Sequence, residues 1–211
     1  MENKKIIKKD FLQRLTEKLS QIGFEKKLNG QTIWKLLSNG KAAAHISFID
    51  HSNDFDLVLN FAVRIDAIED LKNEVNEYLS AKEKKQTATL GVEYGNLIEG
   101  EQQRWTISRH EDIEVVCSEI SEIVLKIGIQ YFETYSNLET VFSLCRVEDT
   151  SSRLHAPIRY TRAMNAVGAA YLLQKPNLQK IINDIYEAYL RNEDDLGLEM
   201  FERFTKKIIF S

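Results

Sequence analysis

Proline and cysteine are scarce, two of each in 211 residues, and no run of apolar residues is long. With only nine glycines as well, the chain has no room for a Pro- or Gly-rich linker. The cysteines, Cys117 and Cys145, are too few for a disulfide framework, and no other Cys or His stands at metal-ligand spacing from them. Both fall in helix-like segments, where a free thiol packs as a small apolar group. No window approaches the ~18 apolar residues of a membrane span. The opening MENKKIIKKDFLQRL is broken by charge too often to read as a signal peptide.

Excess charge of one sign is missing too. A formal net charge of -4 and a pI near 5.7 give no reason to bind nucleic acid or an anionic membrane. The motifs G-x-S-x-G, the Walker loop and G-x-G-x-x-G are all absent, so no cofactor is expected. What remains is 43% hydrophobic and 28% charged, enough to bury a core, and the simplest placement is the cytoplasm.

The apolar pattern changes period twice. Phe11, Leu12, Leu15, Leu19 and Ile22 follow helical spacing, and Gly23 stands where a helix ends in a left-handed residue. In GFEKKLNGQTIWKLLSNGKAAAHISF the Asn-Gly pairs sit ten residues apart, the spacing of strand plus type I′ hairpin turn. DFDLVLNFAVRID then alternates strictly, with Phe55, Leu57, Leu59, Phe61, Val63 and Ile65 on one face. Its other face, Asp54 to Asp66, reads as partly wet, which favours an antiparallel sheet. AIEDLKNEVNEYL returns to helical spacing, with Glu69, Asp70, Glu74 and Glu77 read as a solvated acidic face. ATLGVEY and RWTIS supply further strands.

From Asp112 the period is helical, with Gly128 as a break and VEDTSSRLHAPIRYT as the least periodic loop. The expected fold is therefore α+β: an N-terminal helix, an antiparallel meander of five to six strands with one inserted helix, then a helical half. Residues 1–110 form the helix and sheet, and residues 111–211 the helical part, packed together as a single domain.

The helix ending in Gly-Phe, the Trp-bearing strand and FAVRI resemble a family of uncharacterised bacterial proteins, a domain-of-unknown-function group. The matching positions are Leu19, Gly23, Phe24, Trp34, Phe48 and Val63, and the resemblance covers the first half of the chain. It implies no catalytic residue. Small proteins of this look are suspected immunity or interaction modules.

Two clusters invite chemistry. His45, His51, Asp54 and Asp56 lack the fuller ligand set of a divalent site, and aspartates beside a strand start are ordinary turn residues. Arg153, His155, Arg159 and Arg162 lie within ten residues, beside hydroxyls and Tyr160. Guanidinium forks suit carboxylate or phosphate, and a helix N-terminus adds backbone donors. The competing reading pairs these arginines with Glu148, Asp149 or the acids of the 192–195 run. Two functions follow. The first is a non-enzymatic, immunity-like module with one protein partner. The second is a small-anion or nucleotide binder, as a binding protein or an enzyme, using the 153–162 loop.

Overall fold

A computed structural model of the chain describes residues 4–98, 100–191 and 193–210. The arrangement is α+β: an N-terminal helix, a five-stranded antiparallel sheet and a helical second half. Its strands run in the order β1 (Thr32–Leu37), β2 (Gly40–Asp50), β3 (Phe55–Ile65), β4 (Leu90–Glu93), with β5 (Trp105–Ile107) also on β3. The short helices α3 (Ala81–Lys84) and α4 (Tyr94–Ile98) flank β4 in sequence. Among the described residues no helix is long and apolar enough to cross a membrane.

The chain gathers into two compact units, Met1–Ala62 with Val92–Glu133, and Val63–Gly91 with Thr134–Ser211. The change of period near residue 110 marks strand giving way to helix. Each unit draws on residues from both sides of it.

In the first unit α1 (Lys4–Ser20) buries Phe11, Leu12, Leu15 and Leu19 and packs on α5 (Asp112–Ile123). Gly23 ends the segment at φ +90°, and Phe24 N donates back to Leu19 O at 3.2 Å. That turns the Phe24 ring inward, edge-on to Phe132. β1 (Thr32–Leu37) and β2 (Gly40–Asp50) form an antiparallel hairpin from Thr32↔His45 to Leu37↔Gly40. The hairpin is as expected, but its turn chemistry is not. The loop residues are Ser38 and Asn39, and Asn39 lacks the positive φ of a type I′ turn. The first Asn-Gly pair closes an isolated bridge between Asn29 and Thr32, with Gly30 alone at positive φ.

β3 (Phe55–Ile65) carries the alternation through the middle of the sheet, and β5 (Trp105–Ile107) pairs with its start. Its second face is drier than the sequence suggests: Asp56, Val58 and Arg64 are all buried. Polar residues here mark paired groups rather than solvent. Asp56 accepts from Thr106 Oγ1 at 2.7 Å and lies 3.0 Å from His51 Nε2. These bonds hold its carboxyl below the usual range.

Gly128 does not break its helix. It closes a π-turn (Val124–Gly128) from which α6 (Ile129–Tyr135) runs on. The next break comes where Asn137 caps α7 (Leu138–Cys145). Glycine is needed at 128 for space: a Cβ there would lie 2.9 Å from Phe61 Cε1. That ring is wedged among Tyr94, Tyr131 and Phe132, with centroids 5.6–6.1 Å away. Gly128→Ala is therefore expected to cost about 1–3 kcal/mol, read as a lower urea midpoint with unchanged m-value.

The second unit is built round α9 (Arg159–Leu172), whose Ala163, Met164, Ala166, Val167, Ala169 and Ala170 are buried. Around it lie α7, α2 (Asp66–Val75), α10 (Leu178–Ile185) and α11 (Asp195–Ile209). Small residues on α9 let these neighbours approach closely. The reading of α2 needs correction: its buried stripe is Ile68, Glu69, Lys72 and Val75, so Glu69 is not solvated. Asp70, Glu74 and Glu77 are exposed but paired, with Arg64, Lys207 and Arg203.

Candidate functional site

The sequence between α7 and α9 folds as a short capped helix, not as the open loop its weak periodicity suggests. Asp149 accepts from Ser152 N at 2.7 Å and Asp149 N donates to Ser152 Oγ at 3.0 Å, which starts α8 (Thr150–His155). Pro157 and extended Ile158 then turn the chain into α9, which begins at Arg159. No side chain caps α9, so its first-turn N–H groups keep their partial positive charge.

These turns bring Arg153, Arg159 and Arg162 around one carboxylate. Arg162 Nη2 donates to Glu148 Oε2, and its Nη1 to Ala156 O at 2.6 Å. The guanidinium carbon of Arg162 stands 4.8 Å from the centre of the Tyr189 ring. Its side chain is 0% exposed, and Nε is buried without an acceptor. Arg153 Nη1 and Arg159 Nε lie 3.9 and 4.0 Å from Glu148 Oε1. Those separations are ion-pair distances, beyond hydrogen bonding. Glu148 thus neutralises Arg162 directly and leaves most donors of the other two arginines unengaged.

The three arginines line a hollow of about 340 Å³, with Ile158 and Tyr160 on its wall. A second hollow of about 220 Å³ shares Glu148 and Arg159 and adds Glu187 and Arg191. The competing acids are therefore largely in place. Glu148 is the common partner, Asp149 is spent on capping α8, and Glu193 and Asp194 line the larger hollow. Asn192 lies outside the described residues.

His155 does not join the group. Its ring is buried against Tyr135, with centroids 4.4 Å apart and Nε2 3.1 Å from the phenol oxygen. Burial holds its imidazole down to about 4, so it is neutral at pH 7. The other polar cluster also disperses into local pairs. His45 Nδ1 lies 2.8 Å from Thr32 Oγ1 across the hairpin, while His51 turns to Asp56. Among the described residues no three His, Cys, Asp or Glu side chains are grouped to hold a metal. Both thiols are pushed up to about 12, chiefly by burial, and Arg146 lies over the Phe142 ring rather than activating Cys145.

One constellation has no counterpart in the sequence reading. Lys72 Nζ donates to Glu69 Oε1 at 2.7 Å and to Asn165 Oδ1 at 2.8 Å. Asn165 Nδ2 donates to Thr89 O at 2.6 Å, and Thr89 Oγ1 to Glu69 Oε1 at 3.0 Å. All four residues are buried, and Glu69 Oε2 has no donor. Burial alone would raise the Glu69 carboxyl, but the Lys72 charge and the hydrogen bonds outweigh it and hold it below the usual range. The available signal was Asn165 itself, an amide in the small-residue run RAMNAVGAA. Nothing here opens to solvent, so the network fixes packing, and the arginine face is the only one of the two that a ligand can reach.

No family model, no curated protein and no solved structure matches this chain.

Proposed function

We propose that the chain is a non-enzymatic protein-interaction module, immunity-like and working in a bacterial cytoplasm, that meets one protein partner through the arginine face of α8 and α9. The observation that carries this reading is the convergence of Arg153, Arg159 and Arg162 on Glu148 beside Ile158, which is 54% exposed. An apolar centre set among arginines and carboxylates, with two adjoining hollows to take side chains, has the make-up of a protein-binding patch. Catalytic use is disfavoured by the state of the reactive groups. The thiols are protonated and buried, and His155 is neutral and packed on Tyr135.

Two substitutions test the face. Arg159→Glu reverses a rim charge and Ile158→Asp places a charge at the apolar centre. Each is expected to weaken near-stoichiometric capture of a specific protein by about tenfold or more without changing the melting curve. Equal capture by wild type and both variants would place the contact elsewhere.

A further inference from the structure

We propose that Arg153 and Arg159, at the uncapped start of α9, form a binding site for an oxyanion, phosphate or carboxylate, and that Glu148 is its built-in competitor. The proposal deepens the interaction reading by naming what the face recognises, yet it fails separately from that reading.

Each guanidinium carries five N–H donors. Arg162 spends one on Ala156 O and one on Glu148 Oε2, and its Nε is buried with no acceptor at all. Arg153 spends one on Asp149 O, at 3.2 Å. The Arg159 side chain makes no hydrogen bond among the described residues, and its charge partner is Glu148 Oε1 at 4.0 Å. Donors therefore outnumber acceptors around Glu148, in a hollow of about 340 Å³ that holds all three arginines. Glu193 and Asp194 also line it, but they accept from the backbone N–H groups of Asp194 and Gly197.

The helix adds to this. α9 is 14 residues long, its Ile158 N-cap offers no side-chain acceptor, and Ile158 and Tyr160 border the same hollow. An oxyanion placed between Arg153 and Arg159 would meet two charged forks and the positive end of the helix. Glu148 Oε1 stands close to both forks and is held there by its bond to Arg162. It offsets their charge without saturating their donors. An incoming oxyanion has therefore to work against that carboxylate, so removing the charge while keeping an acceptor for Arg162 should strengthen binding.

Calorimetric titration at low ionic strength, with inorganic phosphate in one arm and an N-acetylated tetraglutamate peptide in the other, tests this on the full chain. Glu148→Gln is expected to bind the preferred anion about five- to tenfold tighter than wild type. Arg159→Ala and the Arg153→Ala/Arg159→Ala pair are expected to lose it by more than about tenfold, while Lys180→Ala on α10 keeps it. Preference for phosphate would identify a phosphorylated ligand, and preference for the peptide an acidic side chain of a partner; either supports the site. Unchanged affinity in Arg159→Ala would overturn it, as would equal affinity of Glu148→Gln and wild type, or no binding of either probe by both. Arg159 is half exposed, so its alanine variant keeps the test valid if Glu148→Gln fails to fold. A partner captured without any anion affinity would leave the interaction reading standing alone. Anion affinity with no partner would do the reverse.

Discussion

Lys72→Met lowers the unfolding free energy by about 3–5 kcal/mol and changes the direction in which stability depends on pH. The magnitude follows from what the substitution strands. Glu69 is 0% exposed and keeps only Thr89 Oγ1 among the contacts described above, while Asn165 Oδ1 loses its donor. The sign follows from the two opposing influences on the carboxyl. In the wild type the Lys72 charge and the hydrogen bonds win over burial, and the folded pKa lies below 4.5. That contribution is fully present above pH 4.5 and is lost as pH falls through the folded value.

Without Lys72, burial pushes the carboxyl above 4.5, so the folded variant holds a proton that the unfolded chain has released. Its deficit then grows as pH rises from about 5 to about 8. Urea midpoints at the two ends of that range measure it, and a deficit independent of pH would show that Glu69 is not the group left behind. Glu69→Leu combined with Lys72→Met should cost less than Lys72→Met alone, because no charge is then left buried.

Glu148→Ala has the second largest effect, about 3 kcal/mol, and it is asymmetric. Alanine leaves the buried Arg162 guanidinium with Ala156 O and the face of Tyr189 but no counter-charge. Arg162→Met leaves Glu148 instead, and that carboxylate is 23% exposed and can turn to water. Its cost should be about 1–2 kcal/mol, chiefly lost packing and the unpaired Ala156 carbonyl. A thermal or urea series that ranks Arg162→Met as the more damaging change would contradict the assignment of burial at this pair.

The parts of the fold legible in the sequence are those that local chemistry decides. The period of two in β3 needs no partner to be seen, and neither does Gly23 as a helix terminator. The second Asn-Gly pair marked a hairpin correctly because turn residues act within four positions. Its turn type differs from the type I′ expectation because the strand register, a property of two strands together, moves Gly40 into β2. Gly128 looked like a breaker because its propensity is poor; its reason for being there is the Phe61 ring, 67 positions earlier and invisible to any window.

Charge was the less readable signal. Arg153, Arg159 and Arg162 are alike in sequence, and the structure separates one sealed guanidinium from two half-exposed ones. The i, i+3 spacing of 159 and 162 put them on one side of a helix but did not say which would face inward. Glu69 reads as part of a solvated acidic face with Asp70, Glu74 and Glu77, yet α2 packs on α9 and buries Glu69 together with Lys72. The deciding feature was Asn165, which supplies both an acceptor for Lys72 and a donor to Thr89. His155 left the cluster for the same kind of reason, since Tyr135 lies 20 residues before it.

The proposed site requires that Arg153 and Arg159 keep donors for an external oxyanion while Arg162 is committed to Glu148. Arginine side-chain Nε–Hε resonances, followed by NMR as inorganic phosphate is added, read this directly. Saturable shifts of the Arg153 and Arg159 signals are expected with Arg162 unmoved, and a tighter midpoint in Glu148→Gln. Shifts spread evenly over surface arginines such as Arg104, Arg109 and Arg191, or confined to them, would contradict it.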